Sequence, residues 1–163
     1  MLRLLLVLLL SWAGLSAQVT VVLLRHAEKT SKYNNAELTK AGQRRALQLV
    51  PVLGACAPTA LFASDLVRTQ RTLEPLARQV GLPLQIYGRG RERVLGRHLL
   101  ERFRGQTVVV CGHSDTLMNL VAALGYAESF PEIADFDRYW VLRVPEQGGP
   151  VVLEERRQGA GPQ

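Results

Sequence analysis

The alternation of two kinds of segment along the chain most restricts what it can fold into. Runs of β-branched and other apolar residues alternate with segments whose apolar residues recur at helical spacing. This order is typical of a parallel sheet with helices on both faces, because a helix usually connects two parallel strands. We therefore predict an α/β protein, a three-layer α/β/α sandwich with a mostly parallel sheet.

Caps and helix breakers set the predicted element boundaries. We predict strands over residues 19–24, 59–63, 82–87 and 107–111, and a closing pair over 138–144 and 151–155. We predict helices from Thr39 to Gly54, from Ser64–Asp65 to Gly81, over 92–103, and from Ser114 or Asp115 to Gly125. A chain of 163 residues fits one such domain.

The N-terminal segment has the layout of a secretory signal peptide. Arg3 supplies one positive charge, residues 4–10 form an unbroken apolar run, and the segment ends in small residues at Ala17. We predict that residues 1–17 are cleaved, which leaves 18–163 as one domain that is periplasmic or extracellular, without stable membrane insertion. An uncleaved membrane anchor is the alternative, but it would consume the first predicted strand.

The net charge and the two cysteines give weaker evidence about the ligand and about disulfide formation. The net charge is +6, and most of the basic residues are arginines, whose planar group suits phosphate and carboxylate. An anionic ligand fits this charge, although net charge alone could equally reflect solubility. Cys56 and Cys111 could pair in an exported protein, but Cys111 ends an apolar run and is more simply a buried thiol.

Polar residues follow three predicted strands at the positions where parallel sheets bind ligands. The segments Arg25–Glu28, Ser64–Arg68 and Gly112–Asp115 come directly after the first, second and fourth strands. Ligands bind beyond the carboxyl ends of such strands. We therefore expect two histidines and two arginines at one sheet edge, beside helix N-termini that favour an anion.

A metal site is the competing interpretation of this edge. His26, His113, Glu28 and Asp115 are all possible metal ligands, and either histidine alone could be a structural core residue. Two nearby guanidinium groups would repel a divalent cation and attract a dianion. We expect a phosphorylated ligand, no metal and no other cofactor.

Three motifs together resemble the histidine phosphatase superfamily, also called phosphoglycerate-mutase-like. They are Leu24–Lys29, Ser64–Thr72 and Val109–Thr116, which occur in the order and spacing of that family. The likeness is greatest to the short phosphatases with few lid segments. It implies the phosphoglycerate-mutase-like fold and metal-independent hydrolysis of phosphomonoesters or phosphoramidates through a phosphohistidine intermediate.

The resemblance also implies a role for each matched residue. His26 would be the nucleophile, with its second ring nitrogen donating to a fixed acceptor such as a backbone carbonyl. Arg25 and Arg68 would bind the phosphoryl oxygens, and His113 would donate a hydrogen bond to the transferring group. Close backbone approach would be allowed by Gly112, and further substrate contacts would come from Ser114 and Asp115.

The general acid that protonates the leaving group is the role that the motifs leave open. Glu28 and Asp115 are the candidates, and Glu28 is slightly favoured. The alternatives are an ion pair with Lys29 or Arg25 for Glu28, and a helix N-cap for Asp115. If neither reaches the leaving oxygen, we expect substrates with good leaving groups, including phosphoramidates such as phosphohistidine and activated phosphates.

Two other functions remain open for this sequence. One is a non-catalytic phospho-ligand-binding or envelope interaction module on the same fold. The other is a phosphoglycerate-mutase-type phosphotransferase, which needs a lid and has only the compact segment 88–105 for it. We expect a small phosphorylated substrate or a phosphoprotein as partner, and no nucleic acid.

The pocket walls are expected from residues 30–35, 88–93 and 127–137. The arginines at 89, 91, 93 and 97 are predicted to form a solvated helix face.

Overall fold

A six-stranded sheet organises the part of the chain that this computed structural model describes, residues 18–131, 133–146 and 148–158. The predicted signal segment, residues 1–17, lies outside the described residues. The elements are β1 (Val19–Arg25), α1 (Lys40–Gly54), β2 (Ala60–Ser64), α2 (Val67–Val80), β3 (Leu84–Tyr87), α3 (Glu92–Arg102), β4 (Thr107–Gly112), α4 (Leu117–Ala123), β5 (Arg138–Val144) and β6 (Val152–Arg157).

The sheet is parallel over four neighbouring strands and antiparallel at one side. The strand order is β3-β2-β4-β1-β5-β6. Strands β3, β2, β4 and β1 pair in parallel, β5 runs antiparallel to β1, and β6 runs antiparallel to β5. This arrangement confirms the predicted α/β fold, in which the last two strands form the predicted closing pair.

Helices cover both faces of the sheet because side chains alternate along each strand. On β1, Leu23 belongs to the core shared with α3 and α4, whereas Leu24 belongs to the core shared with α1 and α2. Two hydrophobic cores therefore hold the sheet rigid between the helical layers, and the carboxyl ends of its parallel strands are left for chemistry.

The helix N-termini differ from the prediction at two places. Thr39 caps α1 as predicted, since its side chain accepts from the backbone N–H of Gly42 at 3.0 Å. Helix α2, however, has Leu66 at its N-cap position, so the predicted cap at Ser64–Asp65 is wrong. Helix α4 follows Thr116 rather than Ser114 or Asp115. Ser64 and Asp115 instead make contacts at the carboxyl ends of the strands, with His113 and Arg89, which sequence periodicity does not reveal.

Both cysteines are free thiols. Cys111 is buried in β4, as the apolar run predicted, and Cys56 is half-buried, with its thiol donating to the carbonyl of Val52 at 3.6 Å. None of the described helices is long and apolar enough to cross a membrane.

Candidate active site

The two histidines expected at one sheet edge lie side by side in the structure. Strands β1 and β4 pair so that Arg25 lies opposite Gly112, and both strands therefore end at the same level. The next backbone N–H, that of His26, donates to the carbonyl of Gly112 at 3.1 Å. The rings of His26 and His113 are 5.4 Å apart between centroids, and each residue is 3% exposed.

His26 has one ring nitrogen fixed and the other left for chemistry. Its Nδ1 lies 2.7 Å from the carbonyl oxygen of Ala27. A carbonyl only accepts, so Nδ1 carries the hydrogen and Nε2 carries the lone pair. Burial is the main reason that the pKa of His26 falls to about 4; the bond to Ala27 opposes this shift, and the charges of Arg68 and Arg25 add to it. The ring is therefore neutral at pH 7, as a nucleophile must be.

Arg68 reaches across the site from the first turn of α2. Its side chain is 6% exposed, and one terminal nitrogen donates to the carbonyl of Asn34 at 3.2 Å. The other terminal nitrogen donates to Nδ1 of His113 at 3.3 Å. The guanidinium group is thus held between the loop after β1 and the second imidazole, where it can bind a phosphoryl oxygen.

Arg25 is held on the opposite side by a segment more than 100 residues away in the chain. It donates to the carbonyls of Ile133 and Ala134 at 3.1 and 3.2 Å, and its guanidinium carbon lies 4.2 Å from the ring centre of Phe136. The Phe136 ring is also 6.2 Å from that of His26. The sequence analysis missed Phe136, although it falls within the segment predicted to form a pocket wall.

Glu28 is held in an ion pair with a residue of α1. Its carboxylate accepts three hydrogen bonds from Arg45 of α1, at 2.7, 2.9 and 3.0 Å. Hydrogen bonding to Arg45 is also the main cause that lowers the pKa of Glu28, whereas a proton donor needs a raised one. The slight preference for Glu28 as general acid is therefore not supported by the geometry. Its partner is neither Lys29 nor Arg25, because α1 folds back over the loop and brings Arg45 closer.

Asp115 lies at the mouth of the site. Its carboxylate is exposed and paired with the guanidinium group of Arg89. Burial is the main cause that lowers the pKa values of Arg25, Arg68 and His113, and the negative charge of Asp115 opposes this shift in all three. Ser114 lies between His113 and Asp115 in the turn that precedes α4 and is half-buried.

The prediction that Arg89 lies on a solvated helix face is wrong. Arg89 precedes α3 instead of lying on it, and its backbone N–H donates to Asp65 at 3.0 Å. Its positive charge lowers the pKa values of Arg68 and His113. Arg89 follows β3, so the same rule about strand ends that selected the other site residues would have found it.

Lys29 and Glu92 are two further charged residues that the motifs did not single out. After burial, the charges of Arg68 and Arg25 are the main causes that lower the pKa of Lys29, which adds it to the cations around the site. Glu92 begins α3 and is fully buried; one carboxyl oxygen accepts from the N–H of Gly90 at 3.2 Å. The other has no hydrogen-bond partner among the described residues.

Gly112 is crowded by side chains of the protein itself. A Cβ atom there would lie 2.7 Å from Cδ2 of Leu117 and 2.9 Å from the hydroxyl oxygen of Tyr87. The groups that crowd this glycine thus belong to α4 and β3, and a side chain here would force Leu117 or Tyr87 to shift. Within the described ranges, no cluster of three or more His, Cys, Asp or Glu residues could hold a metal ion.

The comparison with protein families gives one match. The sequence model described as "Histidine phosphatase superfamily (branch 1)" matches residues 21–98. That range includes residues 21–25 of β1, which end at Arg25, then His26, and all of α2 with Arg68. The comparison with curated proteins gives no match.

Solved structures share the fold over nearly the whole chain. A protein described as mycobacterial hydrolase 2 has a TM-score of 0.71 and 16% identity over 90% of this chain and 92% of its own. A mycobacterial glucosyl-3-phosphoglycerate phosphatase has a TM-score of 0.69 and 18% identity over 84% and 97%. The protein histidine phosphatase SixA, complexed with tungstate, has a TM-score of 0.69 and 18% identity over 85% and 97%. At these identities the likeness establishes the fold alone.

Proposed function

Because the chain belongs to the histidine phosphatase superfamily, we propose that it is a phosphatase that hydrolyses phosphomonoesters or phosphoramidates through phosphohistidine on His26. The observation that carries this proposal is the neutral His26 ring, whose Nδ1–H is bound to Ala27 while Nε2 stays unprotonated beside two arginines. Similar folds in a glucosyl-3-phosphoglycerate phosphatase and in a protein histidine phosphatase support the reaction class.

The reaction would proceed in two displacements at phosphorus. In the first, the Nε2 lone pair of His26 forms a bond to phosphorus while the bond to the leaving oxygen or nitrogen breaks, and the leaving group takes up a proton. In the second, water attacks the phosphohistidine, the P–N bond breaks, and inorganic phosphate leaves. Arg25 and Arg68 would bind the equatorial oxygens in both steps and offset the charge that spreads over them.

The leaving group decides how fast the first displacement is. Both carboxylates that the motifs offered are in ion pairs, Glu28 with Arg45 and Asp115 with Arg89. We therefore propose a preference for leaving groups that need little protonation, such as phosphoramidates and aryl phosphates. Asp115→Asn, compared on an aryl and an alkyl phosphate, tests whether this carboxyl group donates a proton. A donor's loss would slow the alkyl phosphate selectively.

Hydrolysis of p-nitrophenyl phosphate tests the proposal directly. We expect the purified protein to turn over this substrate equally with and without EDTA, and His26→Ala to be inactive. His98→Ala is the matched control, because His98 is exposed on α3. Rapid acid quench with ³²P-labelled substrate should trap label on the wild-type protein and none on His26→Ala. Phosphate binding without turnover would instead support a binding module, and loss of activity with EDTA would support a metal site.

We also propose that residues 1–17 direct export and are then removed. The support is the sequence pattern of one arginine, an apolar run and small residues. Mass spectrometry of the protein recovered from the periplasm or medium tests it. A mature chain beginning near Gln18 is expected, and an intact N-terminus in the membrane fraction would contradict cleavage.

A further inference from the structure

A row of buried hydroxyl groups continues from His113 into the protein, and the reaction as proposed does not use it. Nε2 of His113 lies 2.8 Å from Oγ of Ser64, which lies 2.9 Å from Oγ1 of Thr69. Ser64 and Thr69 are both 0% exposed. Water has no access to these groups, so the hydrogen bonds among them are the ones that decide their orientation.

Arg68 at one end of this row and Thr69 at the other fix the direction of its hydrogen bonds. A guanidinium group only donates, so Nδ1 of His113 accepts from Arg68 and, in the neutral ring, Nε2 carries the hydrogen. Nε2 therefore donates to Ser64. The hydroxyl of Thr69 donates to the carbonyl of Leu66 at 2.7 Å or to that of Ser64 at 3.0 Å, so its oxygen accepts from Ser64.

Starting from the proposed function, we propose that Ser64 and Thr69 are positioning residues that hold His113 in the Nε2–H tautomer, so that its Nδ1 takes up a proton when a phosphoryl anion binds. With Nε2–H directed inward, the neutral ring presents a lone pair to the site. An anion that binds Arg68 would face that lone pair and be repelled. When Arg68 donates to the bound anion instead, its hydrogen bond to Nδ1 breaks. One proton from solvent or from the monoanion of the substrate then moves to Nδ1 and converts the ring to an imidazolium that donates to a phosphoryl oxygen.

The charges around His113 support this linkage between anion and proton. The ring faces Arg68 from α2, His26 from the loop after β1, Arg89 from the loop after β3, and Asp115 from its own turn. In the free protein, burial first and then Arg68, His26 and Arg89 lower the pKa of His113 to about 3, and Asp115 opposes them. A bound dianion reverses the sign of the local potential, which favours the protonated ring.

Nuclear magnetic resonance of the full ¹⁵N-labelled chain tests the tautomer without any need for turnover. The sequence has three histidines, so long-range ¹H–¹⁵N correlations of each ring can be assigned. We expect His26 as the Nδ1–H tautomer and His113 as the Nε2–H tautomer, and we expect inorganic phosphate to convert His113 to the imidazolium. A free protein in which His113 is the Nδ1–H tautomer overturns the proposal even if the protein is an active phosphatase.

Variants of Thr69 separate positioning from a merely structural role. Thr69→Val keeps the side-chain shape but removes the acceptor for Ser64, and it should give mixed tautomers of His113 and a kcat lower on the order of tenfold. Thr69→Ser keeps the hydroxyl and should restore both. Thr116→Val is the control, because its buried hydroxyl has no partner among the described residues. If Thr69→Val does not fold, Ser64→Ala replaces it, and unchanged His113 spectra in the folded variant overturn the proposal.

Discussion

The close approach of α1 to the loop after His26 makes a glycine substitution a sharp test of how this proposed nucleophile is held. Gly42 lies in the first turn of α1, where a Cβ atom would be 2.3 Å from the carbonyl oxygen of Glu28 and 3.0 Å from its nitrogen. Normal van der Waals contact begins near 3.4 Å. The obstacle is backbone, and the backbone N–H of Thr39 donates to the same carbonyl at 2.9 Å. Gly42→Ala therefore requires the helix and the loop to separate by about 1 Å.

This separation should reduce both stability and activity. Overpacking costs about 1–3 kcal/mol, and a backbone obstacle places it near the upper end. The better helix propensity of alanine returns about 1 kcal/mol, which leaves a free energy of unfolding lower by about 2 kcal/mol. For a chain of this size, Tm should fall by roughly 4–8 °C. A displacement of about 1 Å in the loop after His26 should lower kcat/KM about 100-fold.

Gly54→Ala in the same helix is the matched control. A Cβ atom at Gly54 would have Cδ1 of Leu76 as its nearest neighbour, at an unstrained 4.0 Å. Its Tm should equal or slightly exceed that of the wild type, and its kcat/KM should not change. Circular dichroism on heating and hydrolysis of p-nitrophenyl phosphate measure both quantities. If the two alanine variants behave alike, α1 does not set the position of the loop after His26 and the reasoning is refuted.

Three further predictions follow from the charges and contacts of the site. In the folded chain the pKa of His26 is about 4 and that of His113 is about 3, both below the value of about 6.5 in an unfolded chain. The unfolded state therefore binds more protons, and the free energy of unfolding should fall as pH drops from about 6.5 towards 4. Urea unfolding across this range measures the effect, and a flat profile would contradict the burial of neutral rings. Glu28→Gln should lower kcat/KM less than tenfold, because its carboxylate holds Arg45; a loss of about 100-fold or more on an alkyl phosphate would reinstate it as the proton donor. Phe136→Leu removes the ring beneath Arg25, the proposed phosphate-binding residue, and should raise KM a few-fold, as expected for a cation–π contact of about 0.5–1 kcal/mol. Steady-state kinetics with an unchanged KM would show that the ring does not position Arg25.

The part of the site that directly follows β1 and β4 could be predicted from the sequence. The register of β1 against β4 brings Arg25 level with Gly112, and this places His26 beside His113. The expectation that a backbone carbonyl accepts from one ring nitrogen of His26 also holds, with Ala27 as the acceptor. These relations depend on short segments whose position relative to a strand can be read from local pattern.

The partners of the charged side chains could not be predicted in this way. Glu28 pairs with Arg45 because α1 turns back over the loop, and Asp115 pairs with Arg89 because β3 and β4 end at the same edge. Ser64 was expected to cap a helix, yet its hydroxyl binds His113. Each choice depends on which groups lie closest in space, and many geometries are compatible with the same local sequence.

The sequence by itself determined the kind of elements, their order and the few segments at which chemistry occurs, because hydrophobic periodicity and turn residues act over short stretches of chain. The tertiary structure decided which hydrogen bonds and ion pairs those residues make. Arg25 packs against the ring of Phe136, and Arg68 donates to the carbonyl of Asn34. Both contacts join segments that are distant in sequence. A buried polar group must satisfy its hydrogen bonds with whatever packing brings near, so its role is fixed only when the whole chain has folded.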